Sequence, residues 1–165
     1  MHPIAAVQTE YSLWTRNAEI AVLAACKELG AAFVAFSPVA RGFLGGELRD
    51  MSALPAKDIR LPMPRFQGEN FQKNLKLLDG FADIARAQGC TMGQLALAWL
   101  LAKGEHIHPI PGTTRLDHLS ENAGAADIQL SSETVRQLDA LINPATVSGT
   151  RYPAAVQAEI DTEGA

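Results

Sequence analysis

Apolar residues fall in two contrasting patterns along the chain: short unbroken runs, and longer stretches where they recur every three or four positions. Runs of the first kind mark strands buried on both faces, and the second kind marks helices with one apolar stripe. Ile4-Ala5-Ala6-Val7-Gln8 predicts a buried strand. Asn17 precedes a stretch from Glu19 to Leu29 in which Val22, Ala25, Cys26 and Leu29 keep helical spacing, and Gly30 suits the residue just past a helix end. Ala32-Phe33-Val34-Ala35-Phe36 repeats the strand pattern, and Ser37-Pro38 closes it. Strand, helix and strand in that order predict a βαβ unit with a parallel sheet and a right-handed crossover.

From Ala40 to about Gln72 both patterns stop, and Gly42, Gly45, Gly46, Pro55, Pro62, Pro64 and Gly68 exclude a helix or a central strand. So long a loop in a small domain is either a disordered insertion or a functional cover. Phe66, Phe71 and Arg65 within it suit packing and anion contacts. Helix returns from Asn74 to Gln88, with Leu77, Leu78, Phe81, Ile84 and Ala85 on one face. Thr91 and Gln94 have capping-box spacing and open a helix through Leu95, Ala98, Trp99 and Ala102. His106 to Pro111 predicts a third strand, Leu116 to Ala125 a further helix, and Ser131 caps a last one with Val135, Leu138, Leu141 and Ile142 on its stripe. Beyond Pro144 the tail reads as loop, with a turn or two of helix at Ala154 to Ile160. No repeat and no domain boundary interrupts the 165 residues.

Composition narrows the classes of function. With 47% apolar residues the chain can fill a core, and a net charge of −4 argues against a nucleic-acid binder. No apolar run reaches membrane-spanning length, which is about 18 residues. The start, Met1-His2-Pro3-Ile4, lacks the basic flank and apolar centre of a secretion signal. Cys26 and Cys90 have no partner at metal-ligand spacing and read as thiols of a reducing, cytoplasmic protein.

In parallel α/β folds ligands collect at the carboxyl ends of strands. Gly112-Thr113-Thr114-Arg115 offers N–H groups, hydroxyls and a guanidinium at a helix start. It reads either as a phosphate site or as an ordinary strand-to-helix turn with threonine as N-cap. Arg41 beside Gly42, Gly45 and Gly46 allows a close approach of backbone to a pyrophosphate, although the run is not G-x-G-x-x-G. Gln8 ends a buried run and needs a polar partner, either a ligand amide or nearby backbone. Phe36 could stack on a flat ring or simply pack. His106 and His108 alternate onto one face, but with no third ligand nearby a metal site is not expected.

Five segments together resemble one family, the aldo-keto reductases. Gln8-Thr9-Glu10-Tyr11-Ser12-Leu13 is similar to the family's sixth-strand motif, and Phe36-Ser37-Pro38-Val39-Ala40-Arg41-Gly42-Phe43-Leu44-Gly45-Gly46 to its seventh-strand segment. Asp58-Ile59-Arg60 through Pro64 to Asn70 resembles the long loop of the bacterial and plant branch. Ile110-Pro111-Gly112-Thr113-Thr114-Arg115, with His118-Leu119 and Glu121-Asn122, resembles the eighth-strand signature, and Gly149-Thr150-Arg151-Tyr152-Pro153 the C-terminal loop. The resemblance implies a partial (β/α)8 TIM barrel in residues 1–165. This would comprise the last three β/α units, a cofactor-covering loop at 40–72, a C-terminal helix and a tail at 144–165.

It also implies an NADPH site. Gln8 would bond the nicotinamide carboxamide and Phe36 would stack on the ring, where relatives often have tyrosine. Ser37, Val39, Arg41 and Gly42 would follow the pyrophosphate. Gly112, Thr113, Thr114 and Arg115 would hold the 2′-phosphate, with His118, Glu121 and Asn122 at the adenine end. Relatives commonly carry lysine at Thr114 and many carry arginine at His118, which weakens the grip on phosphate. The family reduces aldehydes and ketones with a Tyr, Lys, Asp and His set drawn from the first half of the barrel, and nothing here matches it. A complete barrel takes about 250 residues, and Met1 directly before the sixth-strand motif reads as a truncated frame or a fragment. The expectation is a cofactor-binding half, inactive alone. The alternatives are a non-catalytic NADP(H)-binding or regulatory module, or a structural remnant. Its open sheet edges would be satisfied by a second copy or by an N-terminal half.

Overall fold

The computed structural model describes residues 2–160, so Met1 and the end of the tail lie outside the described residues. Three parallel strands form one sheet in the order β1 (Ala6–Glu10), β2 (Ala32–Phe36) and β3 (Ile107–Pro109). Helix α1 (Val22–Leu29) connects β1 to β2, and it ends where Gly30 turns left-handed at φ 66. Glycine takes that conformation without a clash at Cβ. The βαβ unit read from the hydrophobic pattern is present, but its helix is shorter than expected. Asn17–Glu19 forms a separate single turn of 3-10 helix.

β1 departs further from expectation. Its apolar run implies burial on both faces, yet Ala6 and Gln8 are exposed and only Glu10 is buried. The register explains this. Ala6 pairs with Ala32, Gln8 with Val34, Glu10 with Phe36, and Val34 in turn with His108. Residues in register share a face of the sheet. The other face, carrying Phe33, Ala35 and Ile107, lies against the helices and is buried. The face with Gln8 and Val34 is closed only at its carboxyl end, where Glu10 is buried, so Gln8 sits at the surface and not in a core.

The long loop is ordered by its aromatic side chains. Trp14 meets Phe43 edge-on at 3.6 Å between centroids and stacks on Phe66 at 5.5 Å, and Phe66 contacts Phe71. Each such pair contributes about 0.5–1.5 kcal/mol beyond its buried area. Glycine and proline content predicts loop to about Gln72 and helix from Asn74, but α2 (Gly68–Ala87) begins six residues earlier than that. Phe71 supplies the reason: it is 4% exposed and lies on the buried face of that first turn. Tertiary packing here overrides a local breaker signal.

α3 (Met92–Ala102) opens with the Thr91–Gln94 capping box and is buried continuously from Leu95 to Leu100. α4 (Leu116–Gly124) follows β3, which is shorter than the predicted His106–Pro111. α5 (Ser132–Leu141) is capped by Ser131 and buries Leu138. A short α6 (Ala154–Gln157) lies in the tail. The core gathers Tyr11, Phe33, Phe43, Phe81 and Trp99 around α3. Cys26 and Cys90 are free thiols. Among the described residues no helix is long and apolar enough to cross a membrane.

Candidate cofactor site

The carboxyl ends of the strands carry the polar groups, and two clefts open beside them. The first, of about 210 Å³, is lined by Val39, Gly42, Gly45, Glu47, Gly93, Gly112, His118, Glu121 and Asn122. Six of the residues selected from sequence thus meet in one cleft from two segments far apart in the chain. The turn after β2 brings Val39 and Gly42. The turn after β3 and helix α4 bring Gly112, His118, Glu121 and Asn122. Glu121 is oriented from outside the cleft, because its carboxylate accepts from the Thr91 hydroxyl and its carbonyl from Gln94 Nε2 at 3.1 Å.

The second cleft, of about 350 Å³, is bounded by Ser37, Arg41, Asp58, Ile59 and Arg60. Arg60 donates Nε and Nη2 to the two oxygens of Asp58 at 2.8 Å each and Nη1 to the Arg41 carbonyl at 3.1 Å. The hydrogen bond from Arg60 lowers the Asp58 carboxyl to about 2, with the Arg60 backbone N–H as the next cause. The carboxylate stays charged and keeps the loop arginine aimed at the turn.

The turn itself is strained. Ser37, Ala40 and Arg41 all have positive φ, at 50, 51 and 57. Left-handed backbone costs a residue with a side chain roughly 1–2 kcal/mol, and such outliers concentrate at ligand sites. The Arg41 guanidinium is turned away from the first cleft and donates to Glu10 at 3.0 Å and to the Tyr152 hydroxyl at 3.2 Å. Toward that cleft the turn presents Val39 and Gly42 instead.

Gln8 and Phe36 share one sheet face, two register positions apart along the strands. Thr113, Thr114 and Arg115 stand at the start of α4 outside the cleft lining. Here the structure departs from the reading of an ordinary strand-to-helix turn with threonine as N-cap. The residue at the N-cap position is Arg115, and no side chain caps the helix. The Thr113 hydroxyl accepts the Arg115 backbone N–H at 3.1 Å. The Arg115 guanidinium grips the Asp117 carboxylate, which also accepts the His118 backbone N–H at 3.0 Å. The guanidinium holds the Asp117 carboxyl below the usual range. A phosphate arriving here would have to displace Asp117, an exposed partner whose contribution is small.

Sequence patterns missed Glu47, which sits among turn residues with no periodicity, and Gly93, which belongs to the first turn of α3. They also left Glu10 without a role. The tyrosines are committed elsewhere. Tyr11 is fully buried and donates to Glu19 at 2.6 Å, and burial, followed by that hydrogen bond, pushes its hydroxyl well above the ordinary tyrosine range.

A sequence model described as the aldo/keto reductase family matches residues 1–143. The chain is 45% identical over 156 residues to the Schizosaccharomyces pombe protein "Aldo-keto reductase yakc [NADP(+)]", covering 93% of this chain and 46% of that one. It is 41% identical over 152 residues to "Probable aldo-keto reductase 1" of Glycine max, covering 92% of this chain and 44% of that protein. Among solved structures, a glycerol dehydrogenase from Gluconobacter oxydans matches with a TM-score of 0.82 at 25% identity, over 93% of this chain and 46% of the other. An aldo-keto reductase from Klebsiella pneumoniae in complex with NADPH matches with a TM-score of 0.60 at 28% identity, over 90% and 43%. The chain therefore spans about half the length of the relatives it matches, at 46% and 44%. Its relatives use NADP(H), as the name of the first and the bound NADPH of the last record. The match over residues 1–143, a span that includes the turns walling the two clefts, makes this chain a member of the aldo/keto reductase family.

Proposed function

We propose that this chain is the dinucleotide-holding half of an NADPH-dependent reductase of aldehydes and ketones, a partial (β/α)8 barrel that does not turn over alone. The observation that carries the reading is the convergence of Val39, Gly42, Gly112, His118, Glu121 and Asn122 on one cleft. The adenine end of NADPH would occupy it, with Glu121 and Asn122 toward the base and His118, Thr113, Thr114 and Arg115 around the 2′-phosphate. The pyrophosphate would cross Ser37, Val39, Arg41 and Gly42 toward the second cleft. The nicotinamide would lie over Phe36 with its carboxamide at Gln8. When bound, the cofactor supplies a hydride to a carbonyl carbon.

What these residues do is hold and orient. Proton delivery requires a group outside them: Tyr11 is buried, and the Tyr152 hydroxyl is engaged by Arg41. General acid catalysis contributes typically about 10²–10⁴-fold, so its loss cripples turnover even with NADPH in place. The same commitment of both tyrosines supports a second reading, an NADP(H)-binding module without catalysis.

The unpaired edges of β1 and β3 need a partner, either a second copy or an N-terminal half. Beside β3 an apolar groove of about 450 Å³, lined by Leu97, Leu101 and Leu119 among others, suits a helix of that partner.

Titration with NADPH, followed by the fluorescence of the buried Trp14 and Trp99, should saturate. An unresponsive, non-saturating signal refutes the cofactor reading. Aldehyde reduction by the pure chain above a protein-free blank refutes its inactivity. Co-expression with a Tyr- and Lys-containing N-terminal half should restore turnover.

A further inference from the structure

The strained turn is held by a carboxylate to which the proposed function gives no part. Glu10 closes β1 and is 5% exposed. Its Oε2 accepts from Arg41 Nη2 at 3.0 Å, from Arg151 Nη2 at 3.0 Å and Nε at 3.2 Å, and from the Tyr152 hydroxyl at 3.4 Å. Oε1 accepts from the Thr15 hydroxyl at 3.0 Å. Both guanidinium groups also lie over the Tyr152 ring, at 5.9 Å for Arg41 and 4.6 Å for Arg151. One buried side chain thus joins the end of a strand, the turn after β2 and the tail.

Arg41 is fixed at both ends. Its guanidinium is held by Glu10 and Tyr152, and its carbonyl accepts from Arg60, which Asp58 anchors. Left-handed backbone at a residue with a side chain persists only where its surroundings over-determine it. Here the surroundings are this clamp. Arg41, Arg65 and Arg151 border a space of about 20 Å³ that Glu10 also lines. Such a space holds about one water. The same Arg41 borders the larger cleft with Ser37 and Arg60.

We infer that Glu10 is a positioning residue for the anion-binding turn: it ties Arg41 to Arg151 and Tyr152, so that seating the tail and binding a dinucleotide phosphate at the turn are coupled. The ligand half of this statement rests on the proposed NADPH site. Coupling of this kind is reciprocal. A bound dinucleotide that fixes the turn strengthens the tail's seat, and a released tail frees the turn and weakens the dinucleotide.

The test uses the whole chain, trypsin and NADPH. Cleavage after Arg151 reports opening of the tail, because that peptide bond must leave the surface to reach the protease. Mass spectrometry follows the peptide ending there. Glu10→Gln keeps the shape and removes the charge. It should speed this cleavage about tenfold or more and weaken NADPH about tenfold, within the usual range of coupling between sites. NADPH should slow the same cleavage in the parent.

Arg41→Gly separates positioning from general stability. Glycine adopts the left-handed conformation with no side-chain anchor, so in that background Glu10→Gln should no longer change NADPH affinity. A parental cleavage rate in Glu10→Gln, or saturable NADPH binding that leaves the cleavage of the parent unslowed, overturns the clamp. An unchanged effect of Glu10→Gln in the Arg41→Gly background overturns the positioning role. Absence of NADPH binding by the parent refutes the cofactor reading, and the coupling to ligand falls with it.

Discussion

Asn74, like Glu10, ties the tail to the rest of the fold through one side chain. It is fully buried in α2. Its Nδ2 donates to the carbonyls of Arg65 at 3.1 Å and Ser148 at 2.9 Å, while Oδ1 accepts the Ser148 backbone N–H at 2.8 Å. These bonds join helix, long loop and tail. Alanine would remove all three and orphan one buried donor and two acceptors. Each net bond is worth about 0.5–1.5 kcal/mol and an orphaned buried group costs about 1–3 kcal/mol. Because the tail is the element able to move and recruit water, the lower ends apply, and Asn74→Ala should lose about 2–3 kcal/mol.

Aspartate makes the sharper test. Asn74→Asp keeps the acceptor for Ser148 N–H but turns a charged oxygen toward two carbonyls, in a site with no cation bonded to it. At neutral pH it should lose more than alanine does, about 3–5 kcal/mol, as for a buried charge without a partner. Burial raises a carboxyl pKa, so this variant is stable in its protonated form. Its deficit should shrink as pH falls through that raised value, when the acid O–H replaces the amide donor. The assay is urea unfolding at one fixed protein concentration, since association would shift the midpoint, with an unchanged slope m. If Asn74→Asp matches the parent at pH 7, or if acid does not narrow its deficit, the amide is not the anchor described.

Other expectations follow from the same contacts. Asp139 accepts from buried Trp99 Nε1 at 3.0 Å, from Arg16 at 2.9 Å and from Lys103 at 3.1 Å. Both cations also have Glu19, so Asp139→Asn should cost about 1 kcal/mol. Asp139→Ala, which orphans the indole, should cost about 2–3 kcal/mol; equal urea midpoints for the two would refute this ordering. Burial, more than Glu19, raises the Tyr11 hydroxyl. A raised folded value means stability that is present below the unfolded tyrosine pKa of about 10 and lost as pH rises above it. Tyr11 phenolate absorbance should therefore appear only with unfolding, and a phenolate signal in folded protein would contradict its burial. Asp58 is depressed to about 2 by Arg60, so its contribution is present above the unfolded value of about 3.9 and lost as pH falls toward 2. Carboxyl NMR titration should give that low midpoint and return to the ordinary range in Arg60→Gln.

Periodicity and capping chemistry alone determined much of this protein. The βαβ order, Gly30 as a helix end, the Thr91–Gln94 box and the Ser131 cap are local events, decided within a few residues by backbone donors and glycine's freedom. Motif resemblance also picks out Val39, Gly42, Gly112, His118, Glu121 and Asn122, six residues that the fold gathers into one cleft. Other features were settled by distant partners. Phe71 carries α2 back to Gly68 across a glycine-rich stretch, because burying an aromatic ring outweighs a weak local preference. A sheet face closed only at its carboxyl end leaves Gln8 exposed where an apolar run implied a core. The clamp on Arg41 joins positions 10, 41 and 151. No spacing rule reaches that far, since a buried carboxylate finds its cations through the fold and not along the chain.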